Sequence, residues 1–180
     1  METPKAITAM VWTNDAMPYT LENTIRADMA GQVLSMVYLK KIREDAGAAY
    51  SVGAQGTMTR LDDKIDCGIF AYCPMKYEMA DTVLTILRAE VEAMATSCDG
   101  EMLEKVKEFM LKSYDDATKT NSYWLGVIDT YRTYGTDLHS AYRQTVAEQS
   151  TQSVSAFVKQ LISQGNRAEV TMMPALGDTK

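Results

Sequence analysis

Lys41-Ile42-Arg43-Glu44-Asp45-Ala46-Gly47-Ala48-Ala49-Tyr50-Ser51-Val52-Gly53 is the stretch in which one periodicity gives way to another. Upstream of it, Leu21, Ile25, Met29, Val33, Met36 and Val37 recur at steps of three and four, the spacing of one face of an amphipathic helix. That helix is expected to run to about Arg43 or Asp45. Gly47 then closes it, because glycine adopts the left-handed closing conformation without side-chain cost. Downstream, Tyr50, Val52, Ala54 and Met58 share one parity and Ser51, Gly53, Gln55 and Thr57 the other, so a strand is expected over 48–59.

Working outward, Ala6, Thr8, Met10 and Trp12 alternate with Ile7, Ala9 and Val11, which suits a strand over Lys5 to Trp12 buried on both faces. Asn14 to Pro18 is turn chemistry. Leu61-Asp62-Asp63-Lys64 reads as a hairpin connection to a second strand over Ile65 to Cys73, which Pro74 ends while opening the next helix. That helix turns Met79, Val83, Ile86, Leu87, Val91 and Met94 to one side. Asp99 then caps another helix, with Leu103, Val106 and Met110 inward. A further helix holds Tyr123, Trp124, Val127, Ile128 and Tyr131. After Gly135 and a polar stretch comes a last helix, with Val154, Phe157, Val158, Leu161 and Ile162, and then a closing strand over 167–173. The order strand, helix, two strands, several helices, strand implies an α+β fold, a mostly antiparallel sheet covered on one face by helices. No repeat, linker or composition shift divides the chain, so 1–180 is read as a single α+β domain with a loose tail at 175–180.

Composition narrows the function. With 46% hydrophobic and 23% charged residues the chain is of ordinary globular composition. A formal charge of −6 argues against nucleic acid, whose phosphates demand clustered Lys and Arg. No run of about 18 apolar residues is present to span a membrane. Met1 to Lys5 has no apolar core of a secretory signal, which leaves the compartment open between a bacterial periplasm or cell envelope and the cytoplasm. Cys67 and Cys73 lie about 20 Å apart if on one strand, too far for a disulfide. Together with Cys98 they read as buried thiols. The single histidine, His139, reads as a surface or capping residue. These four residues lack the close paired spacing of a structural zinc site.

Arg43-Glu44, Gly47 and Tyr50-Ser51-Val52 together form an R-E-x-x-G-x-x-Y-S-V run. It resembles the helix-to-strand junction in the carboxy-terminal half of the insulinase/pitrilysin-type zinc metallopeptidases, the inverzincins. The strand, Pro and helix passage at Cys73-Pro74, the helix with Tyr123-Trp124 and the closing 151–174 extend the likeness over most of the chain. The best fit is the last domain of a bacterial four-domain zinc protease. In that family the metal sits on an H-x-x-E-H helix in the amino-terminal half.

The resemblance therefore implies a substrate-binding domain with no cofactor of its own, inactive alone, its parent's zinc lying in the missing amino-terminal half. It assigns Arg43 and Tyr50 to contacts with the substrate carbonyl and the transition state, and Ser51, Val52 and Gly53 to the peptide cleft. The implied partners are a peptide substrate and the catalytic half, as part of the same protein or as a partner subunit, with self-association of the isolated chain. On the residues alone, Arg43 also suits a helix end and Tyr50 a strand, and Gly53 and Gly56 either relax a strand or let another backbone approach. A non-catalytic partner or scaffold subunit of the same fold, acting only in protein–protein interaction, is the alternative reading.

Overall fold

The computed structural model describes residues 5–175, so 176–180 of the expected tail lie outside the described residues. Strands β1 (Lys5–Asn14), β2 (Gly53–Leu61), β3 (Lys64–Lys76) and β4 (Arg167–Met172) form one antiparallel sheet in the order β2-β3-β1-β4. Along β1 the even residues Ala6, Thr8, Met10, Trp12 and Asn14 are buried. The odd residues are not, and this corrects the expectation of two buried faces: helices cover only one side of the sheet. Register groups the odd residues Ile7, Ala9 and Val11 with Pro74, Tyr72 and Phe70 on one flank and with Met172, Val170 and Ala168 on the other. The uncovered face is thus largely apolar.

Among the described residues six α-helices accompany the sheet, as the α+β reading anticipates. Helix α1 (Leu21–Tyr38) begins at Thr20, whose hydroxyl accepts the Asn23 N–H at 3.2 Å. The next seven residues, Leu39–Asp45, continue as a π-helix instead of the expected α-helix, with Ile42 still buried. A 3₁₀ turn (Tyr77–Met79) leads into α2 (Ala80–Thr96), which buries Val83, Leu87, Val91 and Met94. In α3 (Gly100–Ala117) the Asp99 carboxylate accepts the Met102 N–H at 3.0 Å, and Leu103, Val106 and Met110 are inward. Helix α4 (Asn121–Tyr134) buries none of its residues and ends at Gly135 in the left-handed conformation. The polar stretch before the last helix hides α5 (Tyr142–Glu148), in which only Thr145 and Val146 are buried. Reciprocal bonds between Ser150 and Ser153 open α6 (Thr151–Ile162), a capping box built from two serines.

The largest differences from the sequence reading are at two strand boundaries. Strand β3 runs through Pro74 to Lys76, because the proline sits opposite Ile7 but beyond the last β2 partner, Gly53 opposite Tyr72. The Lys76 N–H points away from β1, to the Ala48 carbonyl at 3.0 Å. Pro74 shares its parity, so the missing N–H falls on the side where the ladder has ended. Strand β2 starts at Gly53 rather than Ala48, because the carbonyl of Ala48 is held by the far end of β3 and 48–52 cross that end without laddering.

Helix α1 presses on β2 backbone to backbone. A Cβ on Gly56 would stand 1.7 Å from the Ala27 carbonyl oxygen, and one on Gly31 would stand 2.0 Å from the Gly56 nitrogen. One turn further, the Ser35 hydroxyl donates to the Ala54 carbonyl at 2.6 Å and accepts the Ala54 N–H at 2.7 Å. Of Gly53 and Gly56, Gly56 is therefore the site of close approach, whereas a Cβ on Gly53 would meet the Ser35 Oγ at an ordinary contact distance of 3.9 Å. Gly56→Ala is expected to lower the unfolding free energy by about 3 kcal/mol or more, since only backbone can yield. Gly53→Ala should cost about 1 kcal/mol or less. Urea midpoints of the two variants decide it, and equal midpoints would contradict the packing.

Candidate functional site

The π-helical end of α1 and the segment after it build one corner of the molecule. The Ala46 N–H reaches back to the Lys41 carbonyl at 3.1 Å, and after Gly47 (φ +58°) the Ala48 N–H closes on the Ile42 carbonyl at 2.9 Å. Ala48 is buried and fastened to β3, and two residues later Tyr50 is 85% exposed. The Arg43 guanidinium carbon lies 5.1 Å from the centre of the Tyr50 ring, a cation–π contact on the surface. Tyr50 does not share a strand face with Val52 and Ala54, because β2 begins only at Gly53.

Tyr50 and Ser51 open onto a cavity of about 500 Å³, whose other walls include Ala49, Pro74, Lys5 and Lys76. Arg43 flanks this cavity through its contact with Tyr50. Val52 packs against the hydrophobic core and Gly53 pairs with Tyr72, and neither lines the cavity. The structure thus brings Arg43, Tyr50 and Ser51 to one place and leaves Val52 and Gly53 beside it. Lys5 is expected from the sequence only as a strand residue and Pro74 only as a strand end and helix start, and Lys76 carries no expectation. The β1–β3 register that places Lys5 opposite Lys76 is a long-range pairing that no local pattern announces.

Other reactive groups are engaged elsewhere. His139 is half-buried: Nδ1 lies 2.9 Å from the Tyr114 hydroxyl and 2.8 Å from that of Tyr123. The Trp124 ring centre is 4.6 Å from the imidazole, and the Asp137 carboxylate accepts the His139 backbone N–H at 2.8 Å. Among the described residues no group of three or more His, Cys, Asp or Glu side chains is placed to hold a metal ion, and no helix is long and apolar enough to cross a membrane.

All three cysteines are free and buried. Burial pushes the Cys67 thiol up to about 12, with Asp66 adding to the effect. Burial likewise raises Cys73 to about 11, and burial with a contribution from Asp99 raises Cys98 to about 11. None supplies a thiolate near neutral pH. The native chain is therefore expected to resist a disulfide-exchange reagent at mildly alkaline pH and to react at all three thiols once unfolded. Rapid labelling of any thiol in the folded chain would contradict this.

In comparisons with solved structures, the chain matches the periplasmic protease PqqL from Escherichia coli with a TM-score of 0.78 at 19% identity, over 97% of this chain and 20% of that one. The peptidase M16 inactive domain from Pseudomonas fluorescens gives 0.71 at 14% identity, over 95% and 41%. The inactive peptidase domain of a proposed zinc protease from Bordetella parapertussis gives 0.70 at 16% identity, over 97% and 92%. The chain spans about a fifth of PqqL and is nearly coextensive with the Bordetella domain. No family model matches the sequence, and no curated protein does. The fold is that of M16-type zinc-protease domains, and the similar structures include inactive peptidase domains.

Proposed function

We propose that this chain is the substrate-binding, non-metal-binding domain of a zinc-dependent endopeptidase of the insulinase/pitrilysin type, the last domain of a longer peptidase. The observation that carries the reading is the pairing of Arg43 with Tyr50 on the surface, at the mouth of a cavity that opens at the end of the uncovered apolar sheet face. The described residues do not fit zinc: the one histidine of the chain is held by two tyrosine hydroxyls and has no neighbouring ligand set. Bond cleavage accordingly belongs to a second, metal-bearing half, and this domain contributes contacts to the peptide.

Hydrolysis of a peptide bond builds negative charge on the carbonyl oxygen. A phenol O–H aimed at that oxygen stabilises the transition state more than the substrate. Tyr50 supplies such a donor, and the Arg43 guanidinium holds the ring from one side while offering its own N–H groups to a neighbouring carbonyl. Because Tyr50 is exposed and not part of the core, removing its hydroxyl leaves the fold intact. In the assembled enzyme, Tyr50→Phe should lower kcat on the order of 10²-fold with a smaller change in KM, while the unfolding midpoint stays at the wild-type value. Unchanged kcat on a slow peptide whose chemistry limits the rate would remove the catalytic role. The isolated chain should neither retain stoichiometric zinc after dialysis nor cleave a fluorogenic peptide.

The uncovered face offers Val170 and Met172, 62% and 61% exposed, together with Phe70 and Tyr72. In the proposed enzyme the catalytic half closes over this face. Separated from that half, the chain is expected to self-associate, as contiguous apolar patches do. Sedimentation velocity should show mass rising with concentration, and Val170→Lys with Met172→Lys should return it to monomer. A monomer at every concentration in the wild type would count against a missing partner.

A further inference from the structure

Among the described residues, the charged side chains lining the cavity beside Tyr50 are all cationic, Lys5 and Lys76. In a chain with 24 acidic and 18 basic residues this is a departure from the average surface. Of the acids among the described residues, those nearest in sequence, Glu44, Asp45 and Glu78, do not line the cavity. The two lysines are direct cross-strand partners in the β1–β3 ladder, both exposed. Like charges facing each other across antiparallel strands repel, and among the described residues neither lysine forms an ion pair. Between them and Tyr50 the walls are apolar, from Ala48, Ala49 and Pro74.

We infer that this cavity is a carboxylate subsite, which takes an acidic side chain or the terminal carboxylate of an extended peptide lying on the uncovered sheet face. The inference rests on the proposed reading of that face as peptide-binding. A carboxylate between the two ammonium groups accepts charge-assisted hydrogen bonds from both and cancels their repulsion. The methylenes or backbone behind it rest on Ala49 and Pro74. Ser51 and Tyr50 offer hydroxyls to the adjoining peptide unit. Substrate selection at this corner is then electrostatic, favouring acidic over neutral segments, although the protein as a whole carries a charge of −6 and repels them at a distance.

The test uses the full chain and four fluorescein-labelled extended peptides, with a central Glu or Gln and a free or amidated carboxy terminus. Anisotropy at low salt should show the amidated Glu peptide binding about tenfold tighter than the amidated Gln peptide, with the gap closing in molar salt. Lys5→Gln with Lys76→Gln should bring the Glu peptide down to the affinity of the Gln peptide. It should leave the unfolding midpoint no lower, since a like-charge pair is removed. Discrimination that follows the free terminus and is abolished by the double variant assigns the subsite to a chain end. Equal binding of all four peptides overturns the carboxylate subsite while leaving the peptide-binding surface standing, and so does discrimination that survives the double variant. Failure of all four to bind overturns the peptide-binding reading and the subsite with it. The global charge disfavours the Glu peptide, so a preference for it cannot come from nonspecific attraction.

Discussion

The contact on which the remaining geometry depends is the backbone approach of α1 to β2 through Ala27, Gly31 and Gly56. Among the described residues, strand β2 is an edge of the sheet, with β3 as its only strand partner. Unpaired edge groups invite other chains. Here the helix covers that edge closely enough for the Ser35 hydroxyl to satisfy both the N–H and the carbonyl of Ala54. The approach requires residues without Cβ at two facing positions. Once made, it sets the line of α1 against the sheet, and hence where the helix ends and where the chain can turn back.

The π-helical extension follows from that line. Leu34, Tyr38 and Ile42 are all fully buried, a stripe at successive four-residue steps. In a regular α-helix such a row drifts by roughly 40° per step. Widening the last two turns to the π form reduces that drift, so Ile42 stays over the core while Arg43 remains outside it. The Tyr38 hydroxyl, donating to the Leu87 carbonyl at 2.9 Å, pins the start of the widened segment to α2. Local departures of this kind recur where a side chain must be aimed at a site.

Periodicity alone was enough to read α2, α3, α6 and the antiparallel pair, because each buries one well-marked face, and α1, whose apolar steps are regular although it is buried on most sides. It was not enough for α5, which has two buried residues, or for the one-sided burial of β1, since alternating apolar residues look alike whether their second face meets protein or solvent. Proline at 74 was read by its local effect, but whether a strand tolerates it depends on how far the neighbouring strand extends. His139 lacked any local signal, because its partners come from α3 and α4. Of the candidate site, the meeting of Arg43 and Tyr50 was legible through the resemblance. The facing lysines were not, because they depend on pairing between residues more than sixty positions apart.

These features together explain why the corner with Arg43 and Tyr50 lies where it does. Ala48 is held twice, its N–H by the Ile42 carbonyl and its own carbonyl by the Lys76 N–H. The residues immediately after it are thereby carried past the end of β3 and out of the ladder, and Tyr50 is released to the surface with no role in the core. A tyrosine within β2 would have had its ring committed to one sheet face and its backbone to β3. Placed just before the strand, it is exposed, with its ring against the Arg43 guanidinium at the mouth of the cavity. The same two bonds fix the distance between Arg43 and Tyr50, since the turn that joins them is closed by Gly47 in a conformation other residues rarely adopt. The site is therefore a consequence of how the long helix ends, and the way it ends is set by the packing of that helix on the sheet edge.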